Sequence, residues 1–259
     1  MSPRQYSNSE MSEFDYHLRL YHNTDNSAVQ DLYLNAMMWH PQAPLRPFLK
    51  LVATTTTAKV LYAISALGLA MWTCYYPVLG RVISLTGCAA VLLQLGLAFR
   101  MISSVVKQNL NDDLLDVSRH YRLVSASGDE ANAQQEGRLE TSGPRAFWVV
   151  EATHKVTGRK ELAGCAGLDF IEKYGKPEGE LRRMVVSGHH TRRGVAAMVI
   201  KAAIVHAKAH NLPSIYLSTS SLQGPAIKLY EKHGWVVEER REMPAFETRA
   251  CIVSLLFSD

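Results

Sequence analysis

The chain has 259 residues, 47% of them hydrophobic and 20% charged, enough for one or two domains with a sizeable core. Net charge is +4 with the basic residues dispersed rather than gathered in one run, which argues against nucleic acid as a partner. The four cysteines have no metal-ligand spacing, so no metal site is expected and all four read as buried, reduced thiols.

The first fifty residues are polar, and no N-terminal signal peptide is expected. Residues 16–21 alternate as a first strand, and Thr24 or Asp25 is placed to cap a helix over 26–39. Pro41, Pro44 and Pro47 end that helix. Residues 60–79 then hold no charge and are long enough to cross a bilayer core of about 30 Å. Residues 82–99 form a second such run, and Pro77, Gly80 and Arg81 break the two apart.

Two apolar runs at the spanning threshold read as a transmembrane helical hairpin, with lipid as its partner. The other reading is a helical pair buried in a soluble protein. Gly68, Gly87 and Gly96 supply small residues for close packing, and Trp72, Tyr75 and Tyr76 an aromatic belt near the turn. Arg46, Lys50 and Lys59 precede the pair, and Arg100 and Lys107 follow it. The positive-inside rule then puts both ends in the cytosol. The short link leaves a re-entrant hairpin as the alternative to a spanning one.

Beyond the hairpin, residues 110–121 read as a helix and 125–143 as a polar loop. Strands follow over 145–152, 161–171, 180–186, 214–218, 235–240 and 248–257. With two helices after Gly188, this is an α/β (α+β) order around a mixed sheet. The most informative stretch is the strand ending Met184-Val185-Val186, the turn Thr191-Arg192-Arg193-Gly194-Val195-Ala196-Ala197 and the helix behind it. A helix start presents unpartnered N–H groups and partial positive charge, so a pyrophosphate fits there. Gly194 permits close backbone approach. A later segment, Gln223 to Trp235, reads as a short helix with Tyr230 near its end and Gly234 closing it.

These two segments together resemble the GNAT superfamily of acetyl-CoA-dependent N-acetyltransferases. The family's phosphate loop, Gln/Arg-x-x-Gly-x-Gly/Ala, aligns with Thr191 to Ala196 and matches at Gly194 and Ala196. Thr191 departs from the pattern. The later motif, Asn-x-x-Ala-x-x-Leu-Tyr-x-x-x-Gly-Phe, matches at Ala226, Leu229, Tyr230 and Gly234, with departures at Gln223 and Trp235. The wider resemblance is to the camello-type, membrane-anchored branch. It draws on Leu45 to Leu51, Asp112 to Tyr121, Phe147 to Glu151 and the hairpin itself.

The resemblance implies a GNAT fold interrupted by the hairpin. Residues 1–50 form its first strand and helix, 51–108 the insertion, and 109–259 the remainder. It also implies acetyl-CoA as co-substrate, an amine acceptor and a location in the endoplasmic reticulum membrane; the basic flanks would then face the catalytic domain to the cytosol, and no metal is expected. Within the branch, acceptors include cysteine S-conjugates and protein lysines, and the sequence leaves that choice open. The backbone of Met184, Val185 and Val186 is expected along the pantetheine arm. Arg192, Arg193, Gly194, Val195, Ala196 and Ala197 are expected at the pyrophosphate, with Arg182 and Arg183 nearby.

Tyr230 is the candidate general acid, since a phenol is protonated at neutral pH. It also has the helical spacing of a core aromatic. Glu180 is the candidate base if its pKa is raised, and otherwise a solvated strand end. His189 and His190 are further candidates, or part of a solvent-facing turn. A rival reading of the whole chain is a membrane-bound acyl-CoA-binding or scaffold protein without activity.

Overall fold

The structure is a computed structural model that describes residues 13–125, 139–173, 176–243 and 248–257. β1 (Phe14–Leu20) leads through a 3-10 turn into α1 (Asn26–Leu34), which widens into a π-helical segment ending at Trp39. Asp25 stands at the N-cap of α1 but does not cap it with its side chain. Arg19 takes that carboxylate instead, through two bonds of 2.6 and 2.9 Å. α2 (Leu45–Ala53) contains Pro47 as its third residue. Expected to help end a helix, Pro47 lies in the first turn of one, where no intrahelical N–H bond is lost.

α3 (Thr56–Cys74) and α4 (Pro77–Asn111) form the hairpin. The break is at Tyr75 and Tyr76, earlier than the expected Pro77, Gly80 and Arg81. A residue before proline is driven out of the α region, and Tyr76 lies at φ −132°, ψ 73°. Pro77 then opens α4, where its fixed φ suits a helix start. Arg81 falls inside α4, with its guanidinium 5.3 Å from the centre of the Trp72 ring.

Small residues set the distance between the two helices. A Cβ on Gly80 would lie 2.2 Å from the Trp72 nitrogen, and one on Gly87 2.2 Å from Ser65 Oγ. Outward, Leu67, Val78, Leu85, Leu92 and Leu93 are exposed. The reading of a pair buried in a soluble core therefore does not hold. Cys74 and Cys88, expected buried, are exposed on the hairpin as well, while Cys165 and Cys251 are buried.

α4 outlasts its apolar run. Its 35 residues reach about 52 Å at the helical rise, well beyond a bilayer core of ~30 Å. Val106 is buried near its end, and Ile102 and Leu110 pack against the same core cluster. The separate helix expected over 110–121 is thus divided. Its start belongs to α4, and α5 is only Val117–His120, capped by Asp116, whose side chain accepts from the Arg119 N–H at 3.0 Å. β2 (Leu123–Ser125) and β3 (Leu139–Thr141) pair antiparallel at the two ends of the expected loop, whose residues 126–138 lie outside the described residues.

The remaining elements are β4 (Ala146–His154), β5 (Lys160–Lys173), β6 (Lys176–Val186), α6 (Val195–Ala209), β7 (Ser214–Ser220), α7 (Gly224–Lys232), β8 (Val236–Met243) and β9 (Thr248–Leu256). Seven strands make one sheet in the order β1-β4-β5-β6-β7-β9-β8. Strand alternation feeds two cores. Phe147 and Val149 face a cluster with Val29, Tyr33 and Tyr121, while Trp148 and Val150 face one with Val199, Ile200 and Tyr230. Full burial of one such aliphatic side chain contributes about 1.5–3 kcal/mol. A third, smaller cluster of Phe48, Val52 and Ala98 takes in Leu222, just ahead of α7.

Candidate active site

β6 and β7 are parallel neighbours, and among the described residues they pair only at Gly179 with Ile215 and Glu180 with Tyr216. Beyond that point the two strands diverge. β6 stays paired to β5 as far as Val186, so Leu181 to Val186 form no ladder with β7 among the described residues, a gap in the sheet that makes a candidate cleft. Within it β6 bulges: the register slips between Cys165 and Gly167, and Arg183 sits at φ 53°. A non-glycine residue in the left-handed region is strained backbone of the kind found at functional sites.

Tyr230 reaches this bulge from α7. Its hydroxyl donates to Met184 Sδ at 3.5 Å, and its ring lies 5.6 Å from that of Trp235. Burial pushes the phenol up to about 12, so it stays protonated at neutral pH. The strand then leaves the sheet through a 3-10 turn and enters α6. Arg192 has φ 61° and Gly194 φ 85°. These left-handed residues fold the loop so that the helix starts at Val195, with its first internal bond from the Met198 N–H to Gly194 O at 3.0 Å. The N–H groups of Val195, Ala196 and Ala197 have no partner within the helix. Arg192, Arg193 and Gly194 are exposed beside them.

Glu180 stands where the strands part. Burial raises its pKa, the Arg182 charge lowers it and the Asp169 charge raises it again. The Tyr216 hydroxyl, its register partner, donates to it. Arg182 Nε is 3.9 Å from its carboxylate.

Arg182 and Arg183, expected near the phosphates, are engaged elsewhere. Arg182 bonds Asp169 Oδ2 at 3.0 Å, and Arg183 Nε bonds both oxygens of fully buried Asp113, at 2.7 and 2.9 Å. Asp169 also takes Arg145 Nε at 2.7 Å and lies 3.1 Å from His120 Nε2. Burial alone would raise Asp169, yet hydrogen bonds from His120, the Phe170 N–H and Arg182, with the Arg145 charge, hold it below the usual carboxylate range. Beside this network is a cavity of ≈ 390 Å³ lined by Asp112, Leu115, Asp116, Arg119, His120, Arg122 and Arg145. Arg122 and Arg145 also line a second cavity, of ≈ 470 Å³.

The sequence reading did not single out Asp113 or Asp169. The available signal was the adjacent pair Arg182-Arg183 within a strand, which needs carboxylate partners if the strand is buried. Of the two histidines, His189 is exposed. His190 is 1% exposed, bonded to Tyr16 Oη at 3.0 Å and to Glu161 Oε1 at 2.7 Å. It braces β1 against β5 rather than facing solvent. The two departures from the family motifs have local roles. Thr191 Oγ1 donates to Gly188 O, and Gln223 Oε1 accepts from Thr219 Oγ1 at 2.6 Å, tying α7 to β7.

A mixed sheet with two parallel strands parting over a bulge, a left-handed loop and a helix start defines a fold class, and comparison with known proteins agrees. The model of the acetyltransferase (GNAT) family matches residues 112–235. N-acetyltransferase 8F1 of Rattus norvegicus is 25% identical over 234 residues, covering 89% of this chain and 90% of that protein. N-acetyltransferase 8B of Homo sapiens is 26% identical over 220 residues, 85% and 84% of the two chains. The uncharacterized N-acetyltransferase YsnE of Bacillus subtilis is 36% identical over 122 residues, 46% of this chain and 75% of that one. The chain belongs to the GNAT acetyltransferase family and is an acetyl-transferring enzyme.

Proposed function

We propose that this enzyme transfers acetyl from acetyl-CoA to an acceptor amine at the point where β6 and β7 part, and that α3 and α4 hold it to a membrane. The observation that carries the transfer is the Tyr230–Met184 contact at the β6 bulge. It aims a buried, protonated phenol at a sulfur carried by the strand that loses its β7 partner. A thioester sulfur there is an acceptor of the same kind.

The residues fit the co-substrate. Val195, Ala196 and Ala197 offer unpartnered amides, Arg192 and Arg193 add charge, and the loop conformation requires Gly194. The stretch Met184, Val185 and Val186 forms no ladder with β7 among the described residues, which leaves that side of β6 for an extended arm. Acetyl-CoA supplies the acetyl group as a thioester. Glu180 takes a proton from the acceptor amine, directly or through water, and its burial-raised pKa suits that task. The amine nitrogen bonds the carbonyl carbon, the carbon–sulfur bond breaks, and Tyr230 donates to the departing sulfur. Solvent returns the proton from Glu180 to Tyr230. No covalent enzyme intermediate and no metal are needed.

The acceptor is a cysteine-S-conjugate-like small molecule or a protein lysine. The cavity beside Asp169 mixes Arg119, Arg122 and Arg145 with Asp112 and Asp116, so its charge does not favour one acceptor over the other. For the membrane, the support is the uncovered apolar face of two helices, each with a stretch long and apolar enough to cross a bilayer. On this reading residues 51–108 are the insertion and residues 1–50 and 109–259 the acetyltransferase domain. Basic flanks support a cytosolic face for that domain, and the resemblance to the camello-type branch supports the endoplasmic reticulum as its membrane. Detergent-purified protein given acetyl-CoA and a panel of amines, read by free-thiol release, tests the transfer. Release with at least one amine is expected, and the panel separates cysteine conjugates from lysine peptides. No release with any amine would sink the reading in favour of a binding protein.

A further inference from the structure

The β6 bulge is held from a distance. Arg183 stands in the left-handed region without being glycine, so something must keep it there. Its side chain runs to the residues directly after α4. Nε bonds both oxygens of Asp113, and its terminal nitrogen lies 3.9 Å from Asp112 Oδ2. Asp113 is fully buried and also accepts from Tyr121 Oη at 2.9 Å. On the other side, Tyr33 hydrogen-bonds Arg183 and accepts from Asn109 Nδ2 at 2.8 Å. Arg183 is therefore gripped by the end of α4 and by a tyrosine that α4 itself positions. Met184, the residue that meets Tyr230, is next in the chain.

We infer that the Asp113–Arg183 pair is a positioning clasp for acetyl transfer: it fixes the β6 bulge, and so the place of the Met184 backbone and of the sulfur beneath the Tyr230 hydroxyl. This rests on the reading of the cleft given above. Neither residue touches the reacting atoms. Each acts through the backbone between Arg182 and Met184. A buried ion pair of this kind is a poor source of net stability, since desolvation offsets its attraction. Geometric control accounts better for one that ends on strained backbone.

The test is Asp113→Asn in the full-length, detergent-solubilised enzyme. The clasp predicts that kcat falls by about 10²-fold, the scale of a displacement of roughly 1 Å at a reacting centre. Affinity for CoA by calorimetry should fall far less than kcat, because the pyrophosphate loop is untouched and only the pantetheine contact at Met184 shifts. Arg183→Lys keeps the charge and should recover part of the rate that Arg183→Ala loses. Should Asp113→Asn not fold, the double variant Asp113→Asn/Arg183→Gly removes both charges and puts glycine at φ 53°. It should fold and remain slow. Wild-type kcat in a folded variant, with only a lower Tm, overturns the clasp. Tyr230→Phe assayed in parallel separates the two levels. Loss there with none in the Asp113 variants defeats the clasp alone, whereas no loss in either defeats the reading of the cleft.

Discussion

Tyr230 and Met184 are 46 residues apart in the chain, yet the phenol of one donates to the thioether of the other at 3.5 Å, across the mouth of the parting strands. The contact joins the last turn of α7 to the bulge of β6. It puts a weak acid and a strained strand that loses its β7 partner within one hydrogen bond of each other.

Tyr230→Phe keeps the ring and removes that hydroxyl. With Tyr230 assisting the leaving sulfur, kcat should fall by about 10²–10⁴-fold, while affinity for CoA stays near wild type. A purely structural tyrosine predicts the reverse: a lower Tm and full turnover per folded molecule. Steady-state kinetics and a melting curve on one preparation decide between them.

Gly194→Glu should abolish measurable CoA binding, and Gly194→Ala should weaken it. A Cβ at Gly194 meets nothing within 4 Å, so crowding is not the cause. The φ of 85° is: an alanine there costs about 1–2 kcal/mol, roughly tenfold in affinity if the loop relaxes. Glutamate adds a negative charge where the helix start favours anions. Calorimetry with CoA is the check, and equal affinities for all three proteins would put the phosphates elsewhere.

Glu180 gives a pH dependence. Its pKa is raised by burial, so the rate should fall as pH drops through that raised value, with the acidic limb displaced upward from the ordinary carboxylate range. Glu180→Gln should be slow and lack that limb. Stability runs the other way. A folded pKa above the unfolded one means stabilisation that is complete below the unfolded pKa and lost as pH rises through the folded one. Glu180→Gln should therefore keep or raise Tm at neutral pH. A rate profile unchanged by the substitution would remove Glu180 as the base.

The hairpin should resist carbonate extraction from membranes, and tags at both termini should be digested by protease added outside sealed vesicles. Gly87→Leu should weaken the pairing of α3 with α4, because its side chain would enter the space of Ser65. Appearance in the soluble fraction would end the membrane reading, and protected termini would reverse the orientation.

Much of this was legible in the sequence because it is local. Alternating strands, Gly194 before a helix and the Leu229-Tyr230 pair before Gly234 are patterns a few residues long. The hairpin break was misplaced because Pro77 and Gly80 were read as the turn, whereas proline acts on the residue before it and helix α4 begins at Pro77 itself. The helix expected from residue 110 was misread because the apolar periodicity of α4 continues without a signal through Leu110. Asp113 was invisible as a partner of Arg183, since no periodicity links residues 70 positions apart.

The uninterrupted course of α4 has one more consequence. Each residue of a helix advances the chain about 1.5 Å and turns it by about 100°. The apolar half of α4 and the half that ends beside Asp113 therefore share one rotational phase. One residue inserted between Phe99 and Asn109 would swing the hairpin a little over a quarter of a turn, about 100°, around the helix axis relative to the sheet. Seven residues would bring it nearly back into phase, about 10 Å farther away. The cleft thus has a set bearing and height relative to whatever surface holds the hairpin, written into the spacing of a single helix.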